Sequence, residues 1–339
     1  MKTLIIGGTG NIGTGIVRGL LAVGAAVTLF KRTPAVPEWM TGVCVRTGDR
    51  RDTERLAAAV AGQRFDSVID MVCFEPREAE AAAAIFAGRT EQVIFCSTVD
   101  VYRKYPCSYP IRETDPPGAS PGFPYGHKKM QCEEILWQAH ARGDFALTVF
   151  RPAATYNDAA SPGVHSFGSG TYHLDRLLKG RPIILHGDGN SIWAAAHRDD
   201  VSVPFANAAG NRAAYGQAYN VAGDEWMTQN GMWRTIARAI GAPEPEFVYI
   251  PATVLGALAP REAEWCVANF QYNNIFDTAK VKRDLGFRYT IRYEEGVRRC
   301  FHHLTAHGRI ESCDNYPFYD RIVERWRTHI GRLMEEFRA

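Results

Sequence analysis

The chain has 339 residues, of which 46% are hydrophobic and 22% charged, enough apolar material for one large core or two ordinary ones and too much for a disordered chain. Its 39 Lys and Arg stand against 37 Asp and Glu, a formal charge of +2 with no block of five like charges, which argues against a nucleic-acid grip built on bulk charge. The longest apolar run, residues 20–30, is about half the roughly 20 residues a membrane helix needs, and a strand pattern starts within three residues of Met1; no membrane span or signal peptide is expected, and the protein is read as cytoplasmic.

In chain order, candidate strands fall at 3–6, 26–30, 43–46, 67–71, 92–96 and 146–150. Helix candidates lie between them at 11–23, 53–61, 75–87 and 125–141, the third with Pro76 in a tolerated first-turn position and an Ala-rich body. Such alternation predicts an α/β fold, a parallel sheet covered by helices on both faces. Beyond Arg151 it loosens into a Gly/Ser/Pro/His segment, 157–171, of the length usual for a lid or binding loop. Later strands and helices follow at 183–185, 200–209, 218–221, 230–240 and 247–250. The tail 316–337 sets Tyr319, Ile322, Val323, Trp326, Ile330, Leu333 and Met334 on one helical stripe, read as a packing face.

Eight cysteines, Cys44, Cys73, Cys96, Cys107, Cys132, Cys266, Cys300 and Cys313, include no C-x-x-C pair, and no His or Cys cluster has metal-site spacing. Reduced structural thiols and no metal are expected.

Residues 4–13, Leu-Ile-Ile-Gly-Gly-Thr-Gly-Asn-Ile-Gly, read as a strand, a glycine turn and a helix start. Gly7 permits the tight turn, Gly10 lets backbone approach a pyrophosphate, and Gly13 lets helix and strand pack closely; with Thr9, Asn11 and Ile12 they form a candidate dinucleotide site at a helix N-terminus. After the second strand, where a carboxylate would hold ribose hydroxyls, stand Lys31 and Arg32, a pair better suited to a 2′-phosphate, so the cofactor is read as NAD(P) with NADP favoured over NAD. Asp49 and Arg50, after the third strand, are placed to border the adenine.

Tyr125 and Lys129, four apart at the next helix start, share a helix face. A tyrosine is a poor base at pH 7; lowering its pKa by roughly three units takes about 4 kcal/mol, which Lys129 and a cationic nicotinamide ring are expected to supply jointly. Thr98, at the carboxyl end of the fifth strand, is positioned to orient a substrate oxygen.

Together G-G-T-G-N-I-G (7–13), S-T-V-D-V-Y (97–102), Y-G-H-K-K (125–129), R-P-A-A-T-Y (151–156), H-R-D-D-V (197–201) and F-D-T-A-K-V-K-R-D-L-G-F (276–287) resemble the extended short-chain dehydrogenase/reductases, the NAD(P)-dependent sugar epimerase and dehydratase group, over roughly residues 1–300. The resemblance implies a Rossmann-type doubly wound parallel sheet with a smaller C-terminal substrate-binding lobe. It implies that Thr98, Tyr125 and Lys129 form the catalytic trio, Tyr125 as acid/base and Lys129 also on the nicotinamide ribose. It sets Met71, Cys96, Arg151 and Pro152 along the cofactor and implies a homodimer through helices 75–87 and 125–141. The organisation expected is a cofactor domain over 1–160, to which segments near 182–222 return, a substrate lobe from 161–181 and 223–312, and a helical extension over 313–339.

Departures bear on the substrate. Family members acting on nucleotide-diphosphate sugars carry an arginine where Trp193 stands, so a diphosphate loses its clamp; Trp193 either stacks on a sugar or base, or packs. Dehydratases place Thr-Asp-Glu where this chain has Thr98-Val99-Asp100, which disfavours dehydration and leaves Asp100 a candidate second acid/base. These changes bring the chain closer to the atypical branch that includes the chloroplast stem-loop-binding proteins. His165 and His173 flank the long loop, either touching substrate or solvated. The expected reaction is epimerisation of a sugar-like small molecule by transient hydride abstraction, with dehydrogenation or reduction second, dehydration third, and a non-catalytic nucleotide- or RNA-binding role as the competing class; no nucleic-acid or membrane partner is expected.

Overall fold

The computed structural model describes residues 1–338 except Cys107 and Ser169; one of the thiols, one residue of the long segment and the last residue of the tail lie outside the described residues. The chain divides into two compact units, the first from 1–155, 194–224 and 275–291, the second from 156–193, 225–274 and 292–339.

Seven parallel strands make the sheet of the first unit. They are β1 (Lys2–Ile6), β2 (Ala26–Lys31), β3 (Cys44–Thr47), β4 (Phe65–Asp70), β5 (Thr90–Cys96), β6 (Ala146–Pro152) and the strand Gln217–Val221. From edge to edge the order is Gln217–Val221, β6, β5, β4, β1, β2, β3. The order reverses between β1 and β4, which opens a crevice at the carboxyl ends of those strands.

Buried strands read as nearly continuous apolar runs because both faces are covered. On one face α1 (Asn11–Ala22) and the helices Arg198–Ala208 and Ala279–Leu285 pack Ile16, Val17, Leu20, Val201, Phe205, Val281 and Leu285 over Ile5, Leu29 and Ile69. On the other, α2 (Thr53–Val60), α3 (Pro76–Phe86) and α4 (Pro124–Ala141) pack Leu56, Ala79, Ala82, Phe86, Cys132 and Leu136 over Leu4, Ile6, Val68 and Val93. Local chemistry sets the helix starts: the Asp52 carboxylate accepts from the Arg55 N–H, and α3 begins with Pro76 and a reciprocal Glu75/Glu78 capping box.

The second unit holds a parallel pair, Ile183–His186 with Phe247–Ile250, and an antiparallel pair, Ile192–Trp193 with Met227–Thr228. Helices Tyr172–Leu178, Gln229–Ile240, Ala252–Leu258, Tyr293–Ala306 and Pro317–Glu336 surround them.

Three expectations about organisation are corrected. Residues 182–193 belong to the second unit, whereas 275–291 return to the first, because Val281, Leu285 and Phe287 fill its core. The tail is no extension: Tyr319 is buried, accepts the Ile184 N–H at 2.6 Å and lies 3.9 Å under the Arg176 guanidinium, so the helix is part of the second unit's core. Within 157–171, Val164, His165, Ser166 and Phe167 are buried, so the middle of this segment is packed. Among the described residues no helix is long and apolar enough to cross a membrane.

Candidate active site

The turn after β1 is tied by the Gly7 N–H to the Phe30 carbonyl and the Gly10 N–H to the Gly7 carbonyl, both at 3.1 Å. Gly7 has φ +86°, and a Cβ at Gly13 would sit 2.7 Å from the Gly7 oxygen, so neither position accepts a side chain. Gly10 caps α1 without a side-chain hydrogen bond, and the first turn carries no acidic residue. That start suits an anion, and the residues therefore fit the pyrophosphate of a dinucleotide. Thr9 is half-buried beside the turn, Asn11 donates to the Thr155 carbonyl at 3.0 Å, and Ile12 packs into the core.

Lys31 ends β2 and gives its ammonium to the Ala35 carbonyl, while Arg32 is exposed. Asp49 accepts both side-chain and backbone hydrogen bonds from Arg51, which holds its carboxyl down at about 2, with a smaller pull from Arg32. Arg50 is turned inward: it pairs with Asp70 at 2.9 Å and donates to the Glu78 carbonyl at 2.7 Å. A buried guanidinium needs such a partner, so Asp49 stays near the surface at this corner while Arg50 is drawn into the protein.

At the crevice, the half-buried Met71 donates its N–H to the Ile6 carbonyl at 3.0 Å. The Lys129 ammonium donates to the carbonyls of Cys73 and Cys96 at 2.8 and 2.7 Å and lies 4.5 and 4.8 Å from the Phe74 and Phe95 rings. Thr98 caps the turn Val99–Val101, accepting the Asp100 N–H at 3.2 Å, and hydrogen-bonds the Tyr125 phenol. Asp100 holds Lys104 at 2.7 Å with one oxygen and faces the Thr98 hydroxyl at 3.3 Å with the other. The first turn of α4 can approach because residue 126 is glycine; a Cβ there would run into the Asp100 carbonyl oxygen.

Thr98, Tyr125 and Lys129 thus lie at the ends of adjacent elements, all within the first unit. Burial and the Asp100 carboxylate push the Tyr125 phenol up, with the Thr98 hydrogen bond pulling the other way. The side chain is therefore a protonated phenol, a donor, until a further positive charge arrives.

Four sequence candidates have partners within the protein. Arg151 donates to Glu133 and Tyr102, so it is Pro152 and the backbone of β6, not the guanidinium, that remain for a cofactor. In the second unit Trp193 is buried, gives its indole N–H to the carbonyls of Phe270 and Tyr272 at 3.1 and 2.9 Å, and meets Phe270 edge-on: it packs. His165 and His173 are buried, stacked 3.8 Å apart and tilted against Trp233, which excludes solvation; burial pushes His165 down to about 3 and His173 well down. Lys104, Gly126 and Glu133 were missed as site residues. Spacing offers a faint signal for two: Lys104 follows Asp100, and Glu133 follows Lys129, by four. Among the described residues no group of three or more His, Cys, Asp or Glu could hold a metal ion.

A doubly wound sheet with a glycine turn at its switch point is the arrangement of a dinucleotide-binding fold. The model of the NAD dependent epimerase/dehydratase family matches residues 3–222, and the chain belongs to that family. It is 28% identical over 265 residues to the chloroplast stem-loop binding protein of 41 kDa b of Arabidopsis thaliana, the match covering 73% of this chain and 65% of that protein, just under two thirds of its length. It is 27% identical over 286 residues to the 2′-dehydrokanamycin reductase of Streptomyces kanamyceticus, covering 84% and 78%. Among solved structures, the UDP-glucose 4-epimerase of Thermotoga maritima with UDP-glucose superposes with a TM-score of 0.68 at 21% identity, covering 91% of this chain and 99% of that one.

Proposed function

We propose that the protein is an epimerase that removes hydride from a carbinol carbon of a sugar or sugar-like substrate and returns it to the other face of the ketone. The observation that carries this reading is the Thr98 hydroxyl on the Tyr125 phenol, beside an ammonium fixed at the ends of β4 and β5. Tyr125 takes the hydroxyl proton and gives it back, and Thr98 orients the oxygen. Lys129 would hold the nicotinamide ribose, the turn 7–13 the pyrophosphate, and Lys31 with Arg32 the 2′-phosphate of NADP. When bound, the cofactor supplies the hydride acceptor. Asp100, paired with Lys104, serves as a second proton-transfer group. A homodimer through α3 and α4 is part of the proposal.

Carbonyl reduction is the second reading. The raised Tyr125 pKa favours it, since a protonated phenol is the form that donates to a developing alkoxide, and a reductase is among the relatives. Mass spectrometry of cofactor released from purified protein separates the two: tightly retained cofactor supports epimerisation, freely exchanging cofactor reduction.

Replacing Tyr125 by Phe is expected to lower turnover by at least about 100-fold, the scale of a lost general acid–base group, with cofactor affinity little changed. Wild-type turnover in this variant would overturn the assignment.

A further inference from the structure

Glu133 lies one helical turn beyond Lys129 and two beyond Tyr125 on α4. Its carboxylate accepts Arg151 Nε and Nη2 at 3.0 and 2.6 Å together with the Ser97 hydroxyl. The remaining arm of Arg151 donates to the Tyr102 hydroxyl at 2.7 Å, which donates in turn to Asn220 Oδ1 at 2.8 Å. Ser97 and Tyr102 flank Thr98 and the turn Val99–Val101. One ion pair therefore fastens both ends of the segment that carries Thr98 and Asp100, and fastens it to the helix that carries Tyr125 and Lys129.

The two side chains are only 4% and 2% exposed. A pair so buried is a weak source of stability, because desolvation offsets most of the attraction and an apolar pair of similar volume often does as well. What apolar side chains cannot reproduce is the directed set of donors and acceptors that gives this segment one register. We propose that Glu133 and Arg151 are positioning residues that set Thr98 against Tyr125 through Ser97 and Tyr102, which rests on the reading of Tyr125 as the acid/base group. Neither side chain is given to cofactor or substrate.

The test uses protein labelled with 3,5-difluorotyrosine, whose acidity brings the phenol into a measurable range. The Tyr125 fluorine resonance is assigned by its loss in Tyr125→Phe and titrated with pH in the presence of NADP⁺. In the wild type the midpoint is expected to fall on adding NADP⁺. In the Glu133→Leu/Arg151→Met double variant, the fold and NADP⁺ affinity are expected to persist while the NADP⁺-bound midpoint moves by at least about half a pH unit. An unchanged midpoint in the folded double variant overturns the positioning role. Ser97→Ala and Tyr102→Phe cut single tethers and give the same readout if the double variant does not fold; no movement in either overturns the proposal equally. A wild-type resonance that ignores NADP⁺ would instead overturn the acid/base reading, and this inference with it.

Discussion

Gly126 stands between Tyr125 and His127 in the first turn of α4, where helix propensity favours alanine by about 1 kcal/mol. Tertiary contact reverses that sign, because the added methyl meets a backbone carbonyl, that of Asp100, which cannot swing aside as a side-chain tip does. Overpacking of this kind costs about 1–3 kcal/mol, so Gly126→Ala is expected to lower the melting temperature and, by moving Tyr125 off Thr98, to reduce turnover about tenfold or more. A variant that is both more stable and fully active would contradict the close approach. At the cofactor end, the exposed Arg32 and the half-buried Lys31 lead to a second expectation: fluorescence titration gives tighter binding of NADPH than NADH, and replacing both cations by serine removes the difference. Equal affinities in the wild type would count against an NADP site. Residue types and spacing made Gly7, Gly13, Thr98, Tyr125 and Lys129 legible in the sequence. That Arg50 pairs with Asp70 and Arg151 with Glu133 was not legible, because a sequence shows that a cation is present, not which buried carboxylate meets it.

Among the elements, the six strand and four helix candidates of residues 1–150 agree with β1–β6 and α1–α4 within about two residues at most ends, as expected for boundaries that fray. Periodicity was strong there because each element buries a continuous apolar face. The helices Tyr172–Leu178, Ala252–Leu258, Ala279–Leu285 and Tyr293–Ala306 were not anticipated; three of the four have seven residues, too few for a periodic signal. Around the first of them, His165, His173 and His186 are buried as neutral rings, His186 pushed down by burial to about 4 and hydrogen-bonded to Ser166 and Ser191. Since the unfolded chain takes up protons below about pH 6.5 while these rings do not until pH about 4 and 3, stability must fall as pH drops through 6.5. At pH 5 each ring costs about 2 kcal/mol. Denaturant melts at pH 7.5 and pH 5 measure the difference; a loss well under about 2 kcal/mol in total would show that the rings are not held neutral.

At the scale of the molecule, the family match ends at residue 222, yet the first unit is completed only by residues 275–291. Val281, Leu285 and Phe287 enter its core, Phe276 bridges to Ile111, and Asp200 accepts the backbone N–H groups of Thr290 and Ile291 at 2.8 and 2.9 Å. Three buried side chains at about 1.5–3 kcal/mol each amount to a large part of the roughly 5–15 kcal/mol that holds a domain folded. A chain cut after residue 224 is therefore expected to lose its near-ultraviolet circular dichroism and any cofactor binding, whereas a cooperative thermal transition in that fragment would show the later segment to be dispensable.

By itself the sequence determined the alternation of strands and helices, the glycine turn and the shared face of Tyr125 and Lys129, since each depends on short-range spacing: period two in strands, period 3.6 in helices, fixed offsets in turns; the doubly wound order and the place of Thr98 beside Tyr125 were implied by the family resemblance. Only the tertiary structure decided which charges are spent on one another, that Trp193 and the histidine pair are packing groups, that 275–291 rejoin the first unit, and that the Tyr125 phenol is raised. Those outcomes depend on burial and on partners distant along the chain, and burial is what turns an exposed side chain worth little into one whose pairing must be satisfied.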